Sequence, residues 1–298
     1  MTTIAAPTGT VTVGVDTHMD IHVAAILDGV GRMLGSAGFA TSPAGNAQLI
    51  RWAEKHGTIT QVGVEGTGSY GAKLTRDLQQ AGHQVIEVDR PDRKARRARG
   101  KDDHLDAEAA ARAILSGRAT TTPKARTGRI EAIRALRVAR RSSVSGRTVA
   151  MNQLKALLLT APADLREQLR ILSSTQLVNT AARLRPDEDL ADPLAATKYA
   201  MRELALRHQF LTDQLKRLDA HLGTQVAAAA PALVARFAVG TDTAGALLIA
   251  LGDNPGRLRN ESSFAHLCGV APLPASSGKT TGRHRLNRGG DRRANNAL

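Results

Sequence analysis

The 298-residue chain carries 41 Lys+Arg against 27 Asp+Glu, a formal net charge of +14, and its 42% hydrophobic content excludes a disordered chain. Its length suits about two domains at roughly 100–200 residues each. The single cysteine, Cys268, excludes a disulfide framework and a cysteine-built zinc site, and the lack of any apolar run near ~20 residues or of a secretory leader pattern predicts a cytoplasmic protein with no membrane partner.

Residues 11–19 (VTVGVDTHM) predict a strand, and residues 21–28 and 31–41 predict two more separated by turns, an antiparallel meander. Ser42 and Pro43 open a helix over roughly 44–56. Residues 58–66 read as a fourth strand, 70–81 as a helix and 83–89 as a fifth strand, and a helix carrying KDDHLDAEAAARAIL follows Gly100. The order βββ-α-β-α-β-α predicts an α/β layer.

From about residue 125 the strand signals stop, and 127–160 has a helical pattern. Further on, Leu194, Thr197, Met201, Leu204, His208, Leu211, Leu215, Leu218 and Leu222 repeat at alternating spacings of three and four. That is the heptad seam of a helical hairpin or coiled coil, closing within the chain or against a second copy. His208 on this seam reads as a buried or register-setting residue rather than a ligand. Residues 231–270 predict two short helices in a compact module. The basic, Gly-rich remainder reads as loop, and its last residues, RRANNAL, read as the first turns of a helix in a C-terminally incomplete chain.

The positive charge is concentrated. Residues 90–101 (including Arg93, Lys94, Arg96, Arg97, Arg99 and Lys101), 124–147 (including Arg137, Arg140 and Arg141) and 279–293 (including Lys279, Arg283, Arg285 and Arg288) together carry net +18, leaving −4 for the rest. A solvated surface mixes its signs, whereas Arg-rich windows of one sign point to a polyphosphate, hence nucleic acid. With only 2% aromatics, backbone contacts rather than base stacking are expected to dominate.

Four carboxylates stand out against this basic background. Asp16 ends the first strand, Glu65 ends the fourth, and Asp103 and Asp106 lie one helical turn apart. Adjacent first and fourth strands would put Asp16 and Glu65 side by side, with the helix laying the other two across them. Such a cluster repels itself unless cations neutralise it, and hard oxygen ligands select Mg²⁺. Singly, each acid has a plainer reading: a strand-end turn residue, or a helix cap at Asp102 or Asp103 with Asp106 in the first turn. Gly66, Gly68 and Gly71 also spell the G-x-G-x-x-G of a dinucleotide site, with Glu87 or Asp89 about 20 residues on. Glu65 beside a pyrophosphate and a meander before the motif oppose an NAD-binding enzyme.

Together VGVDTHMD (13–20), VGVEGTGSYG (62–71) and the K-x-D-x-x-D-A run (101–107) resemble the DEDD-type insertion-sequence transposases, a group that includes the Piv DNA invertases and the bridge-RNA-guided recombinases. The C-terminal PLPASSGK (272–279) and NRGGDRRANNAL (287–298) are similar to the second, serine-bearing domain of that family, although AVGTDTAG stands where many relatives have a P-G-I-G-type turn. The resemblance implies an RNase H-like (RuvC-like) catalytic domain over 1–120, a helical coiled coil over 121–228 and a small α-helical serine domain over 229–298. It implies a metal tetrad of Asp16, Glu65, Asp103 and Asp106 holding Mg²⁺, and a nucleophile at Ser277, with the adjacent Ser276 leaving the register open by one position. Lys279, Arg283 and Arg285 would stabilise charge on the transferring phosphoryl group. Double-stranded DNA, a structured guide RNA and a dimer or tetramer of the chain follow as implied partners. Without the family, a serine beside a glycine is a turn residue, and the alternatives are a RuvC-like metal-dependent nuclease or a non-catalytic nucleic-acid-binding remnant.

Overall fold

A computed structural model describes residues 9–88, 102–254, 256–258 and 260–298, in two compact units, Met1–Ala125 and Arg126–Leu298. The basic window containing Arg93, Lys94, Arg96, Arg97, Arg99 and Lys101 lies outside the described residues.

The first unit is built on a five-stranded sheet of β1 (Thr10–Thr17), β2 (Ile21–Asp28), β3 (Met33–Ala40), β4 (Thr58–Glu65) and β5 (Val85–Val88), in the order β3-β2-β1-β4-β5. The first three strands pair antiparallel as the expected meander, while β1–β4 and β4–β5 are parallel. Parallel strands need cover on both faces, and the alternation of side chains supplies it. On one face Val11, Val13 and Val15 of β1, with Val62 and Val64 of β4, pack on Leu49 and Ala53 of α1 (Pro43–Glu54) and Leu74 and Leu78 of α2 (Ala72–Gln80). On the other face α3 (Asp103–Leu115) lays Ala107 against Val23 and Ala25, and Ala110 and Ile114 against Ile86 and Val88. Ser42 caps α1 by accepting from the Gly45 N–H, and Asn46 ties α1 to α2 through Asp77.

α3 sits unusually close to the sheet, and two glycines are the reason. A Cβ on Gly14 would lie 2.2 Å from both the Ala107 carbonyl and the Ala111 amide, and one on Gly63 would lie 3.1 Å from the Ala110 carbonyl. Residues 14 and 16 share a strand face, as do 63 and 65. The approach made possible at Gly14 and Gly63 therefore brings the start of α3 down beside Asp16 and Glu65.

The second unit is helical. Two long helices, α4 (Arg129–Thr160) and α7 (Pro193–Ala229), pack along each other, with α5 (Ala163–Arg170) and α6 (Ser174–Ala181) closing one end over Leu154, Leu158, Met201 and Ala205. Seam residues Met201, Leu215 and Leu222 are buried. Leu211 lies against Gly146, and Gln214 accepts from Ser143, so the seam meets α4 of the same chain. Toward the other end, α8 (Pro231–Val234) and α9 (Thr241–Leu251) cover Ile133, Leu222 and Val226. α10 (Glu261–Leu267), a short β6–β7 hairpin (Leu273–Pro274 and His284–Arg285) and α11 (Arg292–Asn295) complete the unit, with Cys268 and Ala294 buried against α9. α4 starts at Gly128, which has no side chain to cap with; Asp253 supplies the cap by accepting from the Ile130 N–H at 2.9 Å. No described helix is long and apolar enough to cross a membrane.

Candidate active site

At the carboxyl end of β1, Asp16 points at α3 and is only 4% exposed. The parallel register pairs Val15 with Val64, so the next residue of β4, Glu65, stands beside Asp16. Thr17 fastens the two strand ends by donating from Oγ1 to the Glu65 carbonyl at 2.8 Å. On α3 the cap is Asp102, which accepts from the His104 N–H at 2.9 Å. The cap is thus Asp102, and Asp103 and Asp106 lie in the first turn, as the plainer reading has them; what that reading leaves out is that both carboxylates also act on Asp16. Asp106, 6% exposed, continues the sheet-facing stripe through Ala107, Ala110 and Ala111. The positive end of the helix dipole favours acids at this position.

His18 completes the cluster. Its Nε2 lies 2.9 Å from Asp16 Oδ2 and 3.3 Å from Asp103 Oδ1, and one donor atom from each of Asp16, His18 and Asp103 falls within 4.8 Å of the others. Burial pushes the Asp16 carboxyl above its ordinary range; His18 opposes the shift, and the negative charges of Asp106 and Asp103 add to it. Three acids thus act on one another here, with Glu65 at the adjoining strand end. The donor set, carboxylate oxygens with one imidazole nitrogen, two of the three side chains partly exposed, suits a divalent cation. Sequence reading passed over His18. Its signal was the D-T-H spacing, because residues i and i+2 of a strand share a face.

Of the two acids offered by the dinucleotide reading, Glu87 instead accepts from Thr67 Oγ1 at 2.6 Å, and Asp89 lies outside the described residues.

In the second unit, Ser277 sits at the exposed tip of the β6–β7 hairpin. Backbone bonds from the Ser277 N–H to the Thr280 carbonyl and from the Thr280 N–H to the Ser277 carbonyl close a two-residue turn over Gly278 and Lys279. Ser276, Lys279, Arg283, Arg285 and Arg288 are also exposed around it, and none of these basic residues forms a salt bridge among the described residues. Arg285 and Arg288 line a cleft of about 560 Å³ with Leu273, Leu286 and Asn287.

Arg137, Arg140 and Arg141 line a second cavity of about 350 Å³, together with Arg134 and Arg293. Their roles divide. Arg137 donates to both oxygens of Asp242, and Arg140 pairs with Asp219 and Asp242, so these two hold α4 to α9 and α7. Arg141 is exposed.

A mixed α/β layer with this strand order and an acidic cluster at its parallel strand ends defines the class, an RNase H-like domain of the acidic-site type. The model of the DEDD transposase family of IS110 matches residues 13–162, and that of the transposase IS116/IS110/IS902 family matches residues 233–298. The chain belongs to the IS110 family of DEDD transposases and is an insertion-sequence transposase, an enzyme acting on DNA. No curated protein matches it.

Proposed function

We propose that the chain cleaves and rejoins double-stranded DNA of its insertion sequence through a metal tetrad of Asp16, Glu65, Asp103 and Asp106 and a serine nucleophile, Ser277. The observation that carries this reading is the convergence of Asp16, Asp103 and Asp106 where the register also sets Glu65, in a chain matched by transposase models in both units. Mg²⁺ at these carboxylates would supply charge stabilisation to the attacking and leaving oxygens of a phosphodiester. Asp16 and Glu65, on rigid strand ends, hold their oxygens in place, and Asp103 and Asp106 are set by the helix start.

Ser277 Oγ attacks phosphorus. A serine–phosphate ester forms as the bond to the departing deoxyribose oxygen breaks, and the serine proton ends on that hydroxyl. A second sugar hydroxyl reverses the step and joins the new strand. Lys279, Arg283 and Arg285 hold the phosphate oxygens and offset their growing charge. Arg141, Arg288 and the basic window before α3 bind nucleic-acid backbone, with a structured RNA of the element pairing with the DNA and supplying sequence choice. On this reading residues 1–120, 121–228 and 229–298 are catalytic, helical and serine-bearing parts of an oligomer working in the cytoplasm.

Trapping the protein on labelled DNA, with the element's RNA supplied, and mapping the linked residue by mass spectrometry tests this account. An adduct on Ser277, lost in Ser277→Ala with cleavage, supports it. Cleavage that survives Ser277→Ala without an adduct means a metal-dependent nuclease, and an adduct on tyrosine contradicts the chemistry outright.

A further inference from the structure

We propose that His18 is a direct nitrogen ligand of the divalent ion held by Asp16 and Asp103, and that it makes this centre prefer Mn²⁺ over Mg²⁺. The inference rests on the metal-centre reading above and adds to the four carboxylates a ligand of different chemistry.

The contact between His18 Nε2 and Asp16 Oδ2 has the length of a hydrogen bond and equally that of a coordination edge. In an octahedral site with bonds of about 2.1 Å, neighbouring donor atoms lie about 3 Å apart. His18 Nε2 stands 2.9 Å from the nearest Asp16 oxygen and 3.3 Å from the nearest Asp103 oxygen, so the nitrogen is at the spacing of a coordination edge from each of the two carboxylates. The backbone that carries the ring is fixed from both sides. Thr17, the preceding residue, is bonded to the end of β4, and the His18 carbonyl accepts from Thr41 Oγ1 at 3.0 Å. The ring is 39% exposed, as is the Asp103 side chain, so solvent reaches the cluster from their side.

Ligand chemistry then sets the selectivity. Mg²⁺ takes oxygen donors and sheds water reluctantly, so a neighbouring imidazole gives it little. First-row transition ions accept imidazole nitrogen, Mn²⁺ the least strongly among them, so the ring's effect is a preference relative to Mg²⁺. With the proton on Nδ1, the Nε2 lone pair is free to bind Mn²⁺, and the carboxylates serve either ion.

The test is Mn²⁺ titration of the whole 298-residue chain, followed by pulsed electron paramagnetic resonance of the bound ion, with Mg²⁺ affinity read by competition. The expected result is Asp16-dependent Mn²⁺ binding with a directly coordinated ¹⁴N signal. His18→Gln should erase that signal and weaken Mn²⁺ by about tenfold or more while moving Mg²⁺ by less than about threefold. Mn²⁺ that binds through Asp16 without ¹⁴N coupling overturns the His18 assignment alone. So does a His18→Gln variant that keeps the signal, or one that binds both ions equally better because the ring merely filled the metal-free site. If no Mn²⁺ uptake is lost in Asp16→Asn, the metal-centre reading falls, and this inference with it.

Discussion

At the scale of single residues, carboxylates do two different jobs in this chain, and their surroundings separate them. Asp242 is structural. Arg137 donates to it from Nε at 3.0 Å and Nη2 at 2.9 Å, and these bonds, ahead of the opposing effect of burial, hold its carboxyl below the usual carboxylate range. A depressed folded value means the stabilisation is present above the unfolded value near pH 4 and is lost as pH falls through the folded one. Asp242→Asn should therefore cost at most about 1 kcal/mol at pH 7, because the side chain is half exposed and screened. In denaturant titrations the deficit should shrink below pH 4 and with added salt. Asp16 is the reverse case, a carboxyl pushed upward chiefly by its burial, with Asp106 and Asp103 adding to the shift against the opposing effect of His18. Such an arrangement opposes stability and persists at sites that need it. Asp103→Asn, which leaves the cap at Asp102 in place, should keep the helix and lower strand cleavage by about 100-fold or more, read in a plasmid-nicking assay.

Elements decide whether those residues meet. Gly14→Ala should force α3 off the sheet, since the atoms in the way are backbone of Ala107 and Ala111. The expected loss is about 3 kcal/mol of stability, measured by thermal melting, together with loss of divalent-ion binding even though every ligand remains. The strands, α1 to α3 and the long helices were legible because each carries its own period and stop signals: alternation at Val11, Val13 and Val15, the cap at Ser42, the seam from Leu194 to Leu222. The placing of Asp16 and Glu65 at strand ends and of Asp103 and Asp106 at a helix start was legible. Three things were not. Short α5 and α6 bury few residues each and are held by packing on Leu154, Leu158 and Met201 rather than by a strong pattern of their own. The anchoring roles of Arg137 and Arg140 depend on Asp242 and Asp219, 79 to 105 residues away. His18 was visible as a residue, yet only the approach of Asp103 across the helix makes it part of a cluster.

For the molecule as a whole, the proposed function makes the charge pattern the means by which DNA is held. The hairpin carrying Ser277 presents Lys279, Arg283, Arg285 and Arg288 to solvent. Arg283→Ala with Arg285→Ala should weaken binding about equally on every DNA sequence and reduce the slope of log affinity against log salt by about 2, measured by fluorescence anisotropy over a salt series. A loss confined to one sequence would instead indicate base contacts.

The central claim is that the acidic cluster between β1, β4 and α3 is the catalytic metal centre, and Mg²⁺-dependent cleavage of the element's DNA by purified wild type and Asp16→Asn tests it most directly. Cleavage by the wild type should need the ion, and Asp16→Asn, melting as a folded protein and still binding DNA, should give none above background. Equal cleavage by the two proteins would contradict it.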